Sequence, residues 1–431
     1  MKNRLCRRVS LIPRALGALG ILGLSACWSA STPSQPSEVV REDLIAGFAA
    51  NDSSLDAVGS MSVMWTDVST GQNYFDVVCS GVLIDDDTVL TAKHCIRAVS
   101  SVGDYGYRLV FALGPNAQSP ARWIEVIDME TIPPDSGGFT GYGQDLGVLH
   151  LAEQASDVRP WRVASIEQAE VGKDFVGIGY GVQDNNYRQG TRRVGKLTLR
   201  ARTGPTFEAL FGSFAAFYEW YTGQRLPEDC DLDAGVVGAP IAGRAGRGVG
   251  VGIPFSDAGI AGQPARTAAS ESDCDYVAYI YSIYQSLRLE DSDQLVAGGA
   301  KGNAQPCYGD SGSPLARMDA DGRTTVYGIV LGGVSSPQLI CDRGGVFASF
   351  SAETLKFLDE ATHWVDPCAG LTTTGQCDGT LARRCTNRLE GRRRVTEFDC
   401  AAIGLGCESQ KDGSIGCGVD NSSFERAPEP A

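Results

Sequence analysis

Histidine is scarce in this chain, with three residues in 431, at positions 94, 150 and 363. Any chemistry that needs an imidazole has three places to find one. Long apolar runs are lacking too: the run from Ala15 to Leu24 is too short to span a bilayer as a helix. Basic residues are outnumbered, 37 Lys and Arg against 52 Asp and Glu, for a net charge of −15. No basic stripe is present, which excludes a nucleic-acid binder, since such a protein must displace counterions from phosphates. Paired CxxC motifs are missing, and zinc is set aside with them. The stretch GRAGRGVGVG, Gly243 to Gly252, has glycines but no strand and helix to frame them, so it is not a phosphate loop. No metal or organic cofactor is implied.

What is present describes an exported, folded protein. A hydrophobic fraction of 43% supports large cores. Lys2, Arg4, Arg7, Arg8 and Arg14 precede the short apolar run, the pattern of a secretory signal peptide. Leu24-Ser25-Ala26-Cys27 resembles the lipobox of bacterial lipoproteins, in which the cysteine is diacylated and becomes the mature N-terminus. Cysteine parity agrees: of 14 cysteines, loss of Cys6 with the signal leaves 13, and lipidation of Cys27 leaves 12. An even number can all pair. Six lie between Cys79 and Cys341 and six between Cys368 and Cys417, and export favours disulfides over free thiols.

The expected organisation is a signal peptide over 1–26 and a lipid-attached, proline-containing tether over 27–44. A main domain over 45–365 follows, then a cysteine-rich module over 366–420 and a tail over 421–431. Within the main domain, short runs such as CSGVLI, TVLTA, YRLVFAL, DLGVLHL and TVYGIVLGG, separated by turn residues, read as an all-β barrel or sandwich. SAETLKFLDEAT, from Ser351, reads as a terminal helix with a serine cap. Between about 203 and 292 the strand pattern weakens around the aromatic run FGSFAAFYEWY, and this is read as an insertion. The last module has too few apolar residues for a core without cross-links. Its six cysteines allow 15 pairings, and its Arg392-Arg393-Arg394 run reads as a solvated charge run rather than a contact to an anionic surface.

The stretch CYGDSGSPL, Cys307 to Leu315, sets one serine between two glycines after an aspartate. A serine hydroxyl is a weak nucleophile until a base takes its proton. His94, in VLTAKHC, is the best placed of the three histidines. A disulfide between Cys79 and Cys95 would pin its loop to the strand CSGVLI and restrict the imidazole, as a general base requires. His150 alternates with Val148 and reads as a strand histidine, and His363 is weaker still. An acid must then hold the imidazole in one tautomer. Asp145, at the start of the strand in GQDLGVLHL, fits.

TAKHC, DLGVL and GDSGSP, in that order, resemble the His, Asp and Ser motifs of the trypsin/chymotrypsin family of serine endopeptidases, over roughly residues 45 to 358. The resemblance implies two six-stranded antiparallel β-barrels with the active site between them. It makes Ser311 the nucleophile, His94 the base, Asp145 its orienter, and the amides of Gly309 and Ser311 the oxyanion hole. Asp310 would pair with a new amino terminus made by cleavage before Ile45. Cys307 and Cys341 would bond and brace a specificity pocket with Gln305 at its floor and Gly333 and Gly345 in its walls. Trypsins carry an aspartate at the floor, so a basic side chain would lack its counter-charge here. Cys230 with Cys274 is assigned to the insertion. Departures from the family pattern are Lys93 beside the histidine, which would lower its basicity unless turned to solvent, together with Leu331, Ser313 and a longer loop from Val334 to Ile340.

The expectation is a secreted serine endopeptidase acting on protein or peptide substrates, a monomer. Its membrane contact would be the lipid on Cys27, lost if activation severs the tether. The alternatives are a catalytically silent relative that binds through its cleft and an envelope adhesion protein centred on the cysteine-rich module.

Overall fold

The computed structural model describes residues 47–99, 107–133, 145–184, 186–227, 230, 273–289, 294–299, 302–334, 341, 343–368, 370–386, 393–411 and 413–418. The signal segment, Cys27, the tether, Ile45, the glycine-rich stretch 243–252, most of the Val334–Ile340 loop and the chain after 418 lie outside these residues.

After strand β1 (Phe48–Ala49), six strands close into a barrel. They are β2 (Val58–Thr66), β3 (Asn73–Asp85), β4 (Thr88–Ala92), β5 (Arg108–Leu113), β6 (Arg122–Thr131) and β7 (Leu146–Leu151), in the order β2-β3-β4-β7-β6-β5. Every pairing is antiparallel. Period-two side-chain alternation sets the register: in β6, Ile124, Val126 and Asp128 are buried while their neighbours are partly exposed, as expected when alternate residues face the core. Helix α1 (Lys93–Ala98) follows β4 directly.

After β8 (Arg162–Val163), the strands β9 (Asp174–Gly179), β10 (Arg193–Ala201), β13 (Gln294–Ala297), β14 (Pro314–Met318), β15 (Thr324–Gly333) and β16 (Gly345–Ser349) form a second ring of six. It runs β9-β10-β13-β16-β15-β14 and returns to β9 through antiparallel pairs. Two short strands are attached outside it, β1 on β10 and β8 parallel to β15. The chain is thus all-β with two six-stranded barrels, as its sequence leads one to expect.

The segment between β10 and β13 is helical as well as long. The pair β11 (Gly204–Pro205) and β12 (Arg288–Leu289) closes its base, and it carries α2 (Thr206–Phe211), α3 (Phe214–Thr222) and α4 (Asp273–Ser286). Phe207, Phe211, Phe214, Phe217 and Tyr284 pack ring against ring in its core. Local signals end and start the helices: Gly212 closes α2 in a left-handed conformation, and the Ser213 hydroxyl then caps α3 by accepting the Ala216 N–H. Cys230 and Cys274 are bonded.

Noncovalent contacts close the seam between the barrels. The Tyr180 hydroxyl, at the end of β9, lies within hydrogen-bond distance of the carbonyls of Val58 (3.0 Å) and Gly114 (2.5 Å) in the first barrel. Arg192, fully buried, donates to the carbonyls of Ala50, Asp52 and Leu55 and to the Asp56 carboxylate. One guanidinium thereby organises the chain that enters the first barrel.

Helix α5 (Ala352–Thr362) starts at Ser351, whose hydroxyl accepts the Thr354 N–H, as its sequence signal indicates. Beyond it lie a three-stranded sheet of β17 (Gln376–Asp378), β18 (Leu381–Thr386) and β19 (Arg394–Asp399), and a hairpin of β20 (Gly406–Ser409) and β21 (Ile415–Gly418). Three disulfides, Cys368–Cys385, Cys377–Cys407 and Cys400–Cys417, replace the core this segment lacks. The expectation of a solvated arginine run is corrected here for Arg393. Its side chain is mostly buried against Asp366, and its N–H donates to the buried Asp128 of the first barrel.

Candidate active site

The start of α1 and the end of the segment leading into β7 meet at one carboxylate. Asp145 directly precedes β7, so its side chain projects from the end of a buried strand. Its Oδ1 accepts the His94 N–H at 2.8 Å, and its Oδ2 lies 2.6 Å from His94 Nδ1. The first of these bonds satisfies an amide that the short helix leaves without an internal partner. The second holds the proton on Nδ1, so Nε2 is left with its lone pair, the form a general base requires. The Cys79–Cys95 disulfide ties the next residue to β3. The sulfurs nearest the ring are therefore spent in a disulfide and supply no thiolate for a metal.

Ser311 lies in a tight turn between Cys307 and Ser313. Asp310 N–H donates to Cys307 O and Ser313 N–H to Asp310 O, while Gly312 N–H reaches Val330 O in β15. Gly309 and Gly312 have φ of +84° and +80°, conformations that favour glycine. Space makes a second demand at Gly312: a Cβ there would lie 2.3 Å from Thr91 Oγ1, 2.4 Å from Ser80 O and 3.0 Å from Ala92 N. Ala92 immediately precedes α1. The turn that carries Ser311 is thus seated against the start of the helix that carries His94. The Ser311 hydroxyl itself is buried and lies 3.5 Å from Leu331 O.

The Tyr308–Gly309 peptide is anchored from one side, because Tyr308 O accepts the Val182 N–H at 2.6 Å. In a trans peptide the following N–H points the opposite way, so Gly309 turns its donor away from Val182. Ser80 supports the same turn: its hydroxyl donates to Gly309 O at 2.9 Å and accepts the Tyr180 N–H, and its own N–H donates to Ser311 O.

Asp310 is fully buried. Its Oδ1 accepts the Gly181 N–H at 2.8 Å and its Oδ2 the Cys307 N–H at 3.0 Å. Burial pushes its pKa up to about 7, against the opposing pull of these two donors and of the Arg193 charge. Gly179 and Gly181 make room for it, since a Cβ on Gly179 would stand 2.1 Å from Oδ1 and one on Gly181 2.6 Å from Cγ. Sequence reasoning passed over Ser80, Gly179, Gly181 and Arg193. The alternating glycines of GIGYG, Gly177 to Gly181, were the available signal of a close approach.

Lys93 does not turn to solvent. It is buried, and Nζ donates to Ile132 O at 2.6 Å, tying α1 to the end of β6. Leu331 offers Ser311 its backbone carbonyl, and Ser313 is buried with its hydroxyl unpartnered among the described residues. Cys307 and Cys341 are bonded. Gly333 and Gly345 both press on Pro306, where a Cβ would fall 1.9 Å from its carbonyl oxygen and 2.9 Å from its Cγ respectively. Gln305, next to Pro306, is buried.

Two six-stranded barrels, with an Asp-held histidine and a glycine-flanked serine turn meeting at their seam, define the architecture of a chymotrypsin-like peptidase fold. A family model described as Trypsin matches residues 57–207 and 262–355, more than half of the chain, and the chain belongs to that family. The gap in the match falls within the helical insertion. A search of curated proteins finds no match.

Proposed function

We propose that this protein is an exported serine endopeptidase. The observation that carries the reading is the doubly bonded His94–Asp145 pair, set where the Gly309–Gly312 turn packs against Ala92. In the proposed reaction His94 Nε2 takes the Ser311 hydroxyl proton as Oγ bonds to the scissile carbonyl carbon. The Gly309 and Ser311 amides stabilise the oxyanion, and Asp145 the imidazolium. His94 then gives its proton to the leaving amine as the C–N bond breaks, leaving an acyl-Ser311 ester. Water, deprotonated by the same imidazole, attacks the ester carbonyl, and collapse restores the serine. For this to proceed, the Ser311 hydroxyl, which lies 3.5 Å from Leu331 O, must come within hydrogen-bond reach of His94 Nε2.

Activation is proposed to follow cleavage before Ile45. Gly47, two residues on, has its carbonyl bonded to Arg193 at 2.7 Å, and Arg193 also acts electrostatically on Asp310. Two residues span at most about 7 Å, and in this proposal the new ammonium at Ile45 pairs with that buried carboxyl. The lipid-bearing Cys27 would stay with the released tether, and the domain limits given above are part of the same proposal.

A fluorophosphonate probe tests the reading on the full-length protein and on protein beginning at Ile45, with the adduct located by mass spectrometry. Labelling of Ser311 is expected in the Ile45 form. Asp145→Asn, which leaves the wrong tautomer, is expected to slow labelling by about 10⁴-fold. The hydroxyl aimed at Leu331 O favours one other reading, a silent binding protein. Absence of adduct in both forms would establish it.

A further inference from the structure

Resting on the reading of Ser311 as nucleophile, the pocket beside it identifies which side chain precedes the cleaved bond. The Gln305 amide is oriented by its neighbours. Its Oε1 accepts the Gly299 N–H at 3.0 Å, and Nε2 faces Asn303 O at 3.4 Å. A flipped amide would set donor against donor at Gly299, so the oxygen is committed to the backbone and the nitrogen is what remains. One carbonyl at 3.4 Å engages at most one of its two N–H groups. Among the described residues, the Gln305 amide therefore offers an N–H donor at the floor.

Arg200, near the end of β10, stands behind this floor. It is half-buried, donates from Nη1 to Leu210 O at 3.2 Å, and has no carboxylate partner among the described residues. Burial alone lowers its pKa, the mark of a cation taken from water without an anion in exchange. The same Nη1 lies 2.5 Å from where a Cβ on Gly299 would be. Only the lack of a side chain on Gly299, whose N–H holds Gln305, lets the guanidinium come this close. Gly298, Gly299 and Gly344 all have left-handed φ, and a Cβ on Gly344 would sit 3.0 Å from Gly299 N, so this wall is bare backbone.

We propose that the pocket takes an acidic side chain, with glutamate, the longer of the two acids, preferred at the residue before the scissile bond. A carboxylate only accepts hydrogen bonds, which matches the donor at the floor, and its charge compensates Arg200. Lysine or arginine would bring further donors and a like charge.

The test compares cleavage of peptide anilides that differ only in Glu, Gln, Leu or Lys before the anilide, using protein beginning at Ile45. Glu is expected to exceed its isostere Gln by about tenfold or more in kcat/KM, the order expected for one charge pair in partly desolvated protein, with the ratio falling as salt is raised. Arg200→Met is expected to erase that ratio, and Arg200→Lys to restore part of it. A loss of packing would lower all substrates together. Equal cleavage of Glu and Gln, or a ratio indifferent to Arg200→Met, would overturn the inference. Titration of Ser311→Ala protein with peptide acids ending in Glu or Gln reads the pocket without hydrolysis: tighter binding of the Glu peptide supports the inference, and equal binding overturns it. Failure of Ser311 to take the fluorophosphonate would instead defeat the peptidase reading, so the two failures are distinguishable.

Discussion

Asp310 makes the stability of the uncut chain depend on pH in an unusual direction. Its folded pKa of about 7 lies above the value near 4 that it has when unfolded, so between those pH values the folded state holds a proton that the unfolded state has lost. Stability is then greatest below the unfolded pKa and declines as pH rises through about 4 to 7. The full cost, three pH units at ~1.4 kcal/mol each, approaches ~4 kcal/mol above pH 7. At pH 5 only about a third of it has been incurred, since little more than one unit separates that pH from the unfolded pKa. Asp310→Asn keeps the shape and removes the titration. Urea denaturation of both precursor proteins at pH 5 and pH 8 should show the substitution gaining about 2 to 3 kcal/mol more at pH 8 than at pH 5. The same substitution in protein beginning at Ile45 should be harmful, because the ammonium there would meet an amide instead of a carboxylate. An advantage for Asn in the precursor that is the same at both pH values would refute the reasoning.

Two further substitutions test the seam. Gly312→Ala adds a methyl against Ser80 O and Ala92 N at a left-handed backbone; a loss of roughly 2 to 4 kcal/mol in thermal or urea unfolding is expected, with labelling of Ser311 reduced even in the folded fraction. Arg192→Met leaves the Asp56 carboxylate and three carbonyls without their buried donor, a cost of about 3 to 5 kcal/mol. Limited proteolysis should then cut first near residues 50 to 57.

The residues proposed to react were legible in the sequence because each sits in a short segment with its own constraint: a cysteine beside His94, a strand after Asp145, glycines around Ser311. The barrels were legible for a related reason, since period-two burial writes itself into strands such as RWIEVIDMET. The insertion was read as long but not as helical. Its helices pack aromatics on one another, and only the caps, Gly212, Ser213 and Gly223, could have given them away. Buried charge was the other blind spot. Lys93, Arg192 and Arg393 look like surface residues until their carbonyl and carboxylate partners, 27 to 142 positions away in sequence, are brought to them by the fold.

The six disulfides among the described residues also divide the molecule in a particular way. Cys79–Cys95 lies within the first barrel, Cys307–Cys341 within the second, Cys230–Cys274 within the insertion, and the other three beyond α5. None crosses the seam. Each lobe is stitched to itself, while the joint between lobes is held by a continuous apolar core and by groups such as Ser80, Tyr180 and Arg192. The covalent armour therefore protects the parts, and the line along which they meet depends on packing and hydrogen bonds, so a denaturant can act on it while every cross-link stays intact.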